Sequence, residues 1–239
     1  MEKRAIILAG GKGTRLKPYT IALPKPLVPI GEMPILEIII RQLKDYGFNH
    51  ITITINHFAE IIQAFFGDGK KWNIIIDYSL EDKPLSTIGP LTLIDDLPEN
   101  FLIMNGDVLT NLNFSNFYND HIKRKSNFTI GAYKRLDKVD YGVLHKNEQS
   151  KLIIFEEKPI KEYLVSMGIY MMNKSNFEFI PKDTFFGFDH LMNTLIVKNM
   201  LPYIYEFDGY WLDIGRPDDY EKAISDYENK SFLKWNKYK

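Results

Sequence analysis

Short apolar runs alternate with helix-period segments through the first half of the chain. Residues 5–8 (Ala-Ile-Ile-Leu) form a strand-type run that ends at a glycine-rich stretch. Ile35, Leu36, Ile38, Ile39, Ile40 and Leu43 recur on one broad helical face, which predicts a helix starting at Pro34 and stopping at Gly47. Residues 51–55 alternate isoleucine with threonine, as a strand does. Residues 58–66 read as a helix and 74–78 as a strand. Residues 101–104 (Phe-Leu-Ile-Met) are a continuous apolar run, the pattern of a central parallel strand. Strand–helix–strand repetition of this kind predicts a parallel sheet with right-handed crossovers.

The pattern changes in the second half. Residues 128–133, 142–145, 152–156 and 165–172 are β-type segments separated by turn residues, which predicts a mixed, partly antiparallel extension. A helix is expected around 188–198, a strand at 203–207, and a last helix from Pro217, with Asp218 and Asp219 at the favourable end of its dipole. The expected fold is α/β: an open, mixed but mainly parallel sheet flanked by helices, with a small β-rich sub-lobe. One domain over 1–229 is expected, in two halves of about 1–125 and 126–229, followed by a Lys/Asn-rich tail at 230–239. Ligands of open α/β sheets bind beyond the carboxyl ends of the strands, so the loops after Leu8, Tyr78 and Met104 should line one crevice.

Composition narrows the function classes. The 239 residues are 45% hydrophobic and 26% charged, an ordinary globular balance, with a formal net charge of −1. Nothing global calls for nucleic acid or an anionic membrane, so an anionic ligand must be held by local cations. There is no cysteine, which excludes disulfides, thiolate nucleophiles and cysteine-based zinc sites. The first apolar run stops at Gly10, too soon for a signal segment, and no run approaches the ~20 residues of a membrane span. A cytoplasmic protein is expected.

The candidate chemistry begins at residues 8–20, Leu-Ala-Gly-Gly-Lys-Gly-Thr-Arg-Leu-Lys-Pro-Tyr-Thr. Turn amides freed by glycine form an anion-binding concavity, and the Arg15 fork matches phosphate oxygens. A polyphosphate suits such a loop. Lys12 is not followed by Ser or Thr, which excludes a P-loop, and Leu16 stands where the dinucleotide fingerprint needs its third glycine. Pro24 and Pro26 hold the backbone stiff around Lys25, a mount for one phosphate contact. Asp107 follows the apolar run at 101–104 and is placed to bind a hard cation such as Mg²⁺ together with substrate phosphates. Asp213, between a strand and the last helix, is the second candidate. Taken singly, each of these features also fits a plain turn. His50, His57, His121, His145 and His190 show no ligand spacing and read as structural or surface residues.

Taken together the segments resemble a family, the sugar-1-phosphate nucleotidylyltransferases. The matching segments are 8–16 (Leu-Ala-Gly-Gly-Lys-Gly-Thr-Arg-Leu), 24–26 (Pro-Lys-Pro), 84–91, 105–107 (Asn-Gly-Asp), 156–159 (Glu-Glu-Lys-Pro), 166–170 (Ser-Met-Gly-Ile-Tyr) and 211–220. They fall in the family's order and cover about residues 4 to 228. The resemblance implies a Rossmann-like fold whose sub-lobe binds sugar. It implies that Leu8, Gly10, Gly11, Gly13, Thr14 and Arg15 wrap the nucleotide triphosphate, with Arg15 on the β and γ phosphates and Lys25 on the α-phosphate. Asp107 and Asp213 would hold Mg²⁺. Glu81, Ser86 and Thr87 would face the base. Glu157 would take sugar hydroxyls and Lys158 the sugar phosphate, with Gly142, Ser166 and Gly168 lining the sugar pocket.

The implied reaction joins an NTP to a sugar 1-phosphate and releases pyrophosphate. GTP with a mannose- or heptose-like sugar is the nearest match, and UTP, dTTP or CTP with another hexose the alternative. Where the family has Leu-Gly-Thr-Ala-Gly, this chain has Leu85-Ser86-Thr87-Ile88-Gly89, and Ser166 stands where asparagine is frequent. Both departures touch substrate identity rather than phosphate chemistry. A non-catalytic nucleotide-sugar-binding subunit would be expected to have lost Arg, Lys or Asp positions, and all are present. A nicotinamide oxidoreductase is disfavoured by the missing glycine. A glycosyltransferase would not release pyrophosphate. A homo-oligomer is compatible with the reading.

Overall fold

A computed structural model describes residues 3–56 and 58–229. The tail expected at 230–239 and His57 lie outside the described residues. The chain runs β1 (Lys3–Leu8), β2 (Pro29–Ile30), β3 (Met33–Pro34), α1 (Ile35–Asp45), β4 (Phe48–Ile55), α2 (Ala59–Phe66), β5 (Ile75–Leu80), β6 (Asn100–Asn105) and β7 (Val108–Thr110). It continues with α3 (Phe114–Arg124), β8 (Phe128–Lys138), β9 (Val143–Lys146), β10 (Leu152–Glu156), β11 (Ile160–Asn173), α4 (Phe188–Val197), β12 (Tyr203–Phe207), β13 (Trp211–Asp213) and α5 (Pro217–Asn229).

Seven strands form one sheet in the order β12-β8-β11-β6-β1-β4-β5. Strand β1 pairs in parallel with β4 on one side and β6 on the other. Strands β5 and β12 also join in parallel, while β11 is antiparallel to both β6 and β8. The mainly parallel, Rossmann-like arrangement is therefore as expected. From β1 the chain builds outward through β4 and β5, then returns to place β6 on β1's other flank. That reversal is a topological switch point, and it opens a crevice beyond the carboxyl ends of β1 and β6.

Alternation along β1 sends Ile6 and Ile7 to opposite faces, where two separate cores form. Ile7 joins Leu36, Ile39 and Phe48, and Ile6 joins Ile103, Phe128 and Leu191. The six apolar residues that predicted α1 are all buried. Gly47, at φ +83°, takes the left-handed position that ends that helix. Helix α3 has no aliphatic stripe to announce it. Its buried positions are Phe114, Phe117, Tyr118 and His121, and Asn113 caps it by accepting from the Asn116 amide at 2.9 Å.

The β-rich sub-lobe extends from the main sheet. It comprises the β9–β10 hairpin and an arm in which residues 134–138 of β8 pair with 160–164 of β11. No described helix is long and apolar enough to cross a membrane.

Candidate active site

Strand β1 delivers the glycine loop straight into the crevice. A Cβ at Gly10 would lie 2.7 Å from Glu81 Oε1, so glycine here leaves room for the Glu81 carboxyl beside the loop. Gly13 is left-handed at φ +62°, and its carbonyl accepts from Thr20 Oγ1 at 2.7 Å. The short 3-10 turn Thr14–Leu16 then buries Leu16 and leaves Thr14 and Arg15 exposed on the rim.

The Pro24–Pro26 mount folds as a second 3-10 turn, closed by the Leu27 amide on the Pro24 carbonyl at 2.9 Å. Pro26 and Leu27 are buried, which fixes Lys25 to the core. Its ammonium pairs with Asp107 Oδ2. The other Asp107 oxygen, Oδ1, is buried and without a hydrogen-bond partner. Asp107 is held by the β6–β7 turn, where the Gly106 amide donates to the Leu8 carbonyl at 2.9 Å.

Strands β7 and β13 are only three residues each, yet they decide the site. Their pairing sets Asp213 opposite Val108, and the Ile214 amide donates to the Asp107 carbonyl at 3.0 Å. The two aspartates, 106 positions apart by number, become neighbours. The Asp213 carboxyl is pushed above the usual carboxylate range, first by desolvation and then by the charge of Asp107, with Lys25 and Arg15 pulling the other way. A Cβ at Gly215 would sit 3.9 Å from Asp213 Oδ2 and 4.0 Å from Arg15 Nη2. The two cations and two carboxylates expected to act together do converge.

Three cavities meet at Arg15. One of about 190 Å³ is lined by Ala9, Gly11, Thr14, Arg15, Lys25 and Asp107. A larger one of about 510 Å³ is walled by Gly10, Arg15, Glu81, Ser86, Thr87 and Asp107. Thr54, Asn56 and Phe185 also line it, and sequence reading had not picked them out. The third, of about 480 Å³, adds Arg135, Arg216 and Lys222, of which only Arg216 lay in a recognised segment.

Several side chains have local work of their own. Glu81 is buried, which raises its carboxyl, and it accepts from the Leu85 amide at 3.3 Å. Ser86 is left-handed at φ +68°, which accounts for glycine being frequent there. Ile88 is fully buried in the core with Leu91 and Phe101, so its extra bulk over alanine points away from the cleft. Thr87 Oγ1 accepts from the Phe188 amide at 2.8 Å and so closes the first turn of α4.

The residues expected on the sugar side are gathered in two groups. Gly168, at φ +71° in a bulge of β11, lies so close to Asn105 that a Cβ would meet its Nδ2 at 2.5 Å. Its amide donates to Ser166 Oγ at 3.3 Å. Gly142 lies under Phe155 and beside Glu157, where a Cβ would be 3.3 Å from Glu157 Oε2. Glu157 and Lys158 are exposed at the root of the hairpin and are not among the residues lining the three cavities.

The donor set fits a hard divalent cation. Asp107 offers an unpartnered buried oxygen, and Asp213 lies beside it with its charge poorly compensated. Among the described residues no group of three or more His, Asp or Glu side chains forms a cage. The remaining positions would fall to phosphate oxygens and water, the usual environment of Mg²⁺.

The family model described as Nucleotidyl transferase matches residues 4–230. A mannose-1-phosphate guanyltransferase of Yarrowia lipolytica is 34% identical, over 91% of this chain and 62% of its own length. A UTP–glucose-1-phosphate uridylyltransferase of Synechocystis is 31% identical, over 92% of this chain and 62% of its own. The chain thus spans about 62% of the length of these relatives. It matches 98% of the D-glycero-alpha-D-manno-heptose 1-phosphate guanylyltransferase of Aneurinibacillus thermoaerophilus, at 33% identity over 94% of this chain. A crystal structure of HddC from Yersinia pseudotuberculosis complexed with GMP-PN superimposes with a TM-score of 0.73 at 27% identity, covering 94% of this chain and 99% of that one.

Proposed function

Because the chain belongs to the nucleotidyl transferase family, we propose that it transfers a nucleotidyl group from an NTP to a sugar 1-phosphate, releasing pyrophosphate. The observation that carries the reading is the convergence of Arg15, Lys25, Asp107 and Asp213 at the switch point of the sheet. GTP with a mannose- or heptose-like sugar 1-phosphate is the proposed pair, supported by the names of the guanylyltransferase relatives. UTP with glucose 1-phosphate is the competing pair, supported by the Synechocystis relative. The reading assigns the protein to the cytoplasm.

A phosphate oxygen of the sugar 1-phosphate attacks the α-phosphorus in line. The bond from that phosphorus to the bridging oxygen breaks, and pyrophosphate leaves with the electron pair. No proton transfer is needed at the reacting centre, so the task is alignment and cancellation of charge. The amides of residues 10–13 and the Arg15 fork hold the β and γ phosphates. Lys25 exchanges Asp107 for the α-phosphate, which frees Oδ2. Asp107 and Asp213 would hold Mg²⁺, whose charge offsets that of the two phosphate groups when it is bound. Glu81, Ser86 and Thr87 face the base. Glu157 and Lys158 receive the sugar hydroxyls and sugar phosphate, and Gly142, Ser166 and Gly168 line that pocket.

Pyrophosphate release over a matrix of four NTPs and several sugar 1-phosphates, with Mg²⁺, tests the reading. The highest rate is expected for GTP with mannose or heptose 1-phosphate. Silence across the whole matrix from folded protein would overturn it.

A further inference from the structure

The hairpin that carries the proposed sugar-phosphate residues is apolar where it should be wet. Strands β9 and β10 pair only with each other and with no strand of the main sheet. A free two-stranded hairpin is marginal in water and needs something to pack against. Yet Leu144, Leu152, Ile153, Ile154 and Phe155 are each more than half exposed. Leu144 and Phe155 stand opposite one another across the pair, and the strand register shifts between Leu152 and Ile154. In the adjoining arm, register puts Leu136, Ile160 and Leu164 on one face, and they are exposed as well.

The size of this surface and its charge point to one occupant. Register puts Ile154 with His145 on the far side of the hairpin, and leaves Leu144, Leu152 and Phe155 together on the other. Taking roughly 170 Å² for a fully exposed large apolar residue, these three and the three of the arm leave on the order of 600 Å² uncovered. A specific interface takes about 600–1,000 Å² from each partner. Residues 134–164 hold seven Lys and Arg against six Asp and Glu. Many of them are matched in place: Lys134 with Glu162 at 3.0 Å, Arg135 with Asp137 at 2.8 Å, and His145 with Glu156 at 2.6 Å. A surface with a balanced, internally paired charge neither repels its own copy nor recruits a partner of one sign. A two-fold contact requires such self-complementarity.

We propose that a second copy of this chain covers the sub-lobe, giving a two-fold dimer through the β9–β10 hairpin. The contact has a consequence for the site that rests on the proposed function. Gly142 precedes β9 and Glu157 follows β10, and Phe155 packs over Gly142. Clamping the hairpin therefore fixes both roots that carry the sugar-phosphate contacts.

Sedimentation velocity of the full chain at micromolar concentration is expected to give twice the 28.0 kDa chain mass. Leu144→Glu and Leu152→Glu are each expected to yield folded monomer, with circular dichroism as the check on folding. Val197→Glu, an exposed position on α4, is expected to stay dimeric. Amide exchange across 143–156 in the unmodified chain should accelerate on dilution, a readout that needs no variant. In the monomeric variants the KM for sugar 1-phosphate should rise about 10-fold while that for NTP holds, since misplacing a binding group by about 1 Å is costly. A monomeric unmodified chain, or a dimer that both hairpin substitutions leave intact, overturns the proposal. A monomer that floats with neutral lipid vesicles would give the face to a membrane instead. A dimer without any transferase activity would leave this contact standing and remove the function.

Discussion

Asp107 has one carboxylate oxygen on Lys25 and the other buried without a partner. An unsatisfied buried oxygen is a standing penalty that a cation would relieve. Asp107→Asn keeps the shape and removes the charge. Turnover in the pyrophosphate assay is expected to fall at least ~100-fold, as on losing one preorganised electrostatic group. Its neighbour makes a prediction of opposite sign for stability. The folded pKa of Asp213 lies above the ordinary 3.8, so the folded state holds this proton more tightly than the unfolded chain does. Ionisation of Asp213 then opposes folding. That opposition is absent below the ordinary value and complete once pH exceeds the raised one. Asp213→Asn should therefore raise the melting temperature at neutral pH, lose that advantage as pH falls through the carboxylate range, and lower turnover. Melting curves of both proteins against pH check the sign.

At the scale of elements, His121 ties α3 to two strands of the sheet. Its Nδ1 meets Thr129 Oγ1 of β8 at 2.8 Å and its Nε2 meets Asn100 Oδ1 of β6 at 3.1 Å. Burial lowers its pKa from 6.5 to about 4. Protonation is thus easier in the unfolded chain, and stability is expected to decline as pH falls from 6.5 towards 4, by on the order of 3 kcal/mol in all. Denaturation midpoints between pH 7 and 4 should flatten in His121→Gln. The same helix shows where sequence reading stops. Helix α1 and strand β4 were legible because apolar residues repeat at the period of their element, and strands β1 and β6 because each is a short continuous apolar run. Helix α3 buries Phe114, Phe117, Tyr118 and His121 at i, i+3, i+4 and i+7, a helical period carried by aromatics and a histidine that a reading of aliphatic residues passes over. Strands β7 and β13 are too short to carry any period, although their pairing is what joins Asp107 to Asp213. The site was therefore visible as motifs in order, through likeness to a family, and not as geometry. Ile88 illustrates the residue left over: next to Ser86 and Thr87 in sequence, but inside the core in space.

The whole molecule is two cores on either side of one sheet, with the cationic loop, Lys25 and both aspartates delivered to a single edge of it. Segments from β1, the 3-10 turn around Lys25, β6 and β13 meet there, so a ligand at that edge bridges parts of the chain as far apart in sequence as Leu8 and Asp213. Such a ligand binds the folded state alone, because no short stretch of the unfolded chain carries the set. Stabilisation follows mass action and reaches about 2.7 kcal/mol at a hundredfold excess over Kd. For a domain of this size each kcal/mol moves the melting temperature by about 2–4 °C. Saturating Mg²⁺ and a cognate NTP should therefore raise it by roughly 5–10 °C. Arg15 is exposed and supports no core, so Arg15→Ala should melt like the unmodified protein when alone and lose most of the ligand-induced rise. Lys25 differs, being seated on buried Pro26 and Leu27 and paired to Asp107, so its removal should shift both numbers. Thermal melts of the three proteins with and without ligand separate the two cases. An Arg15→Ala protein that kept the full rise would take the triphosphate away from this edge of the sheet.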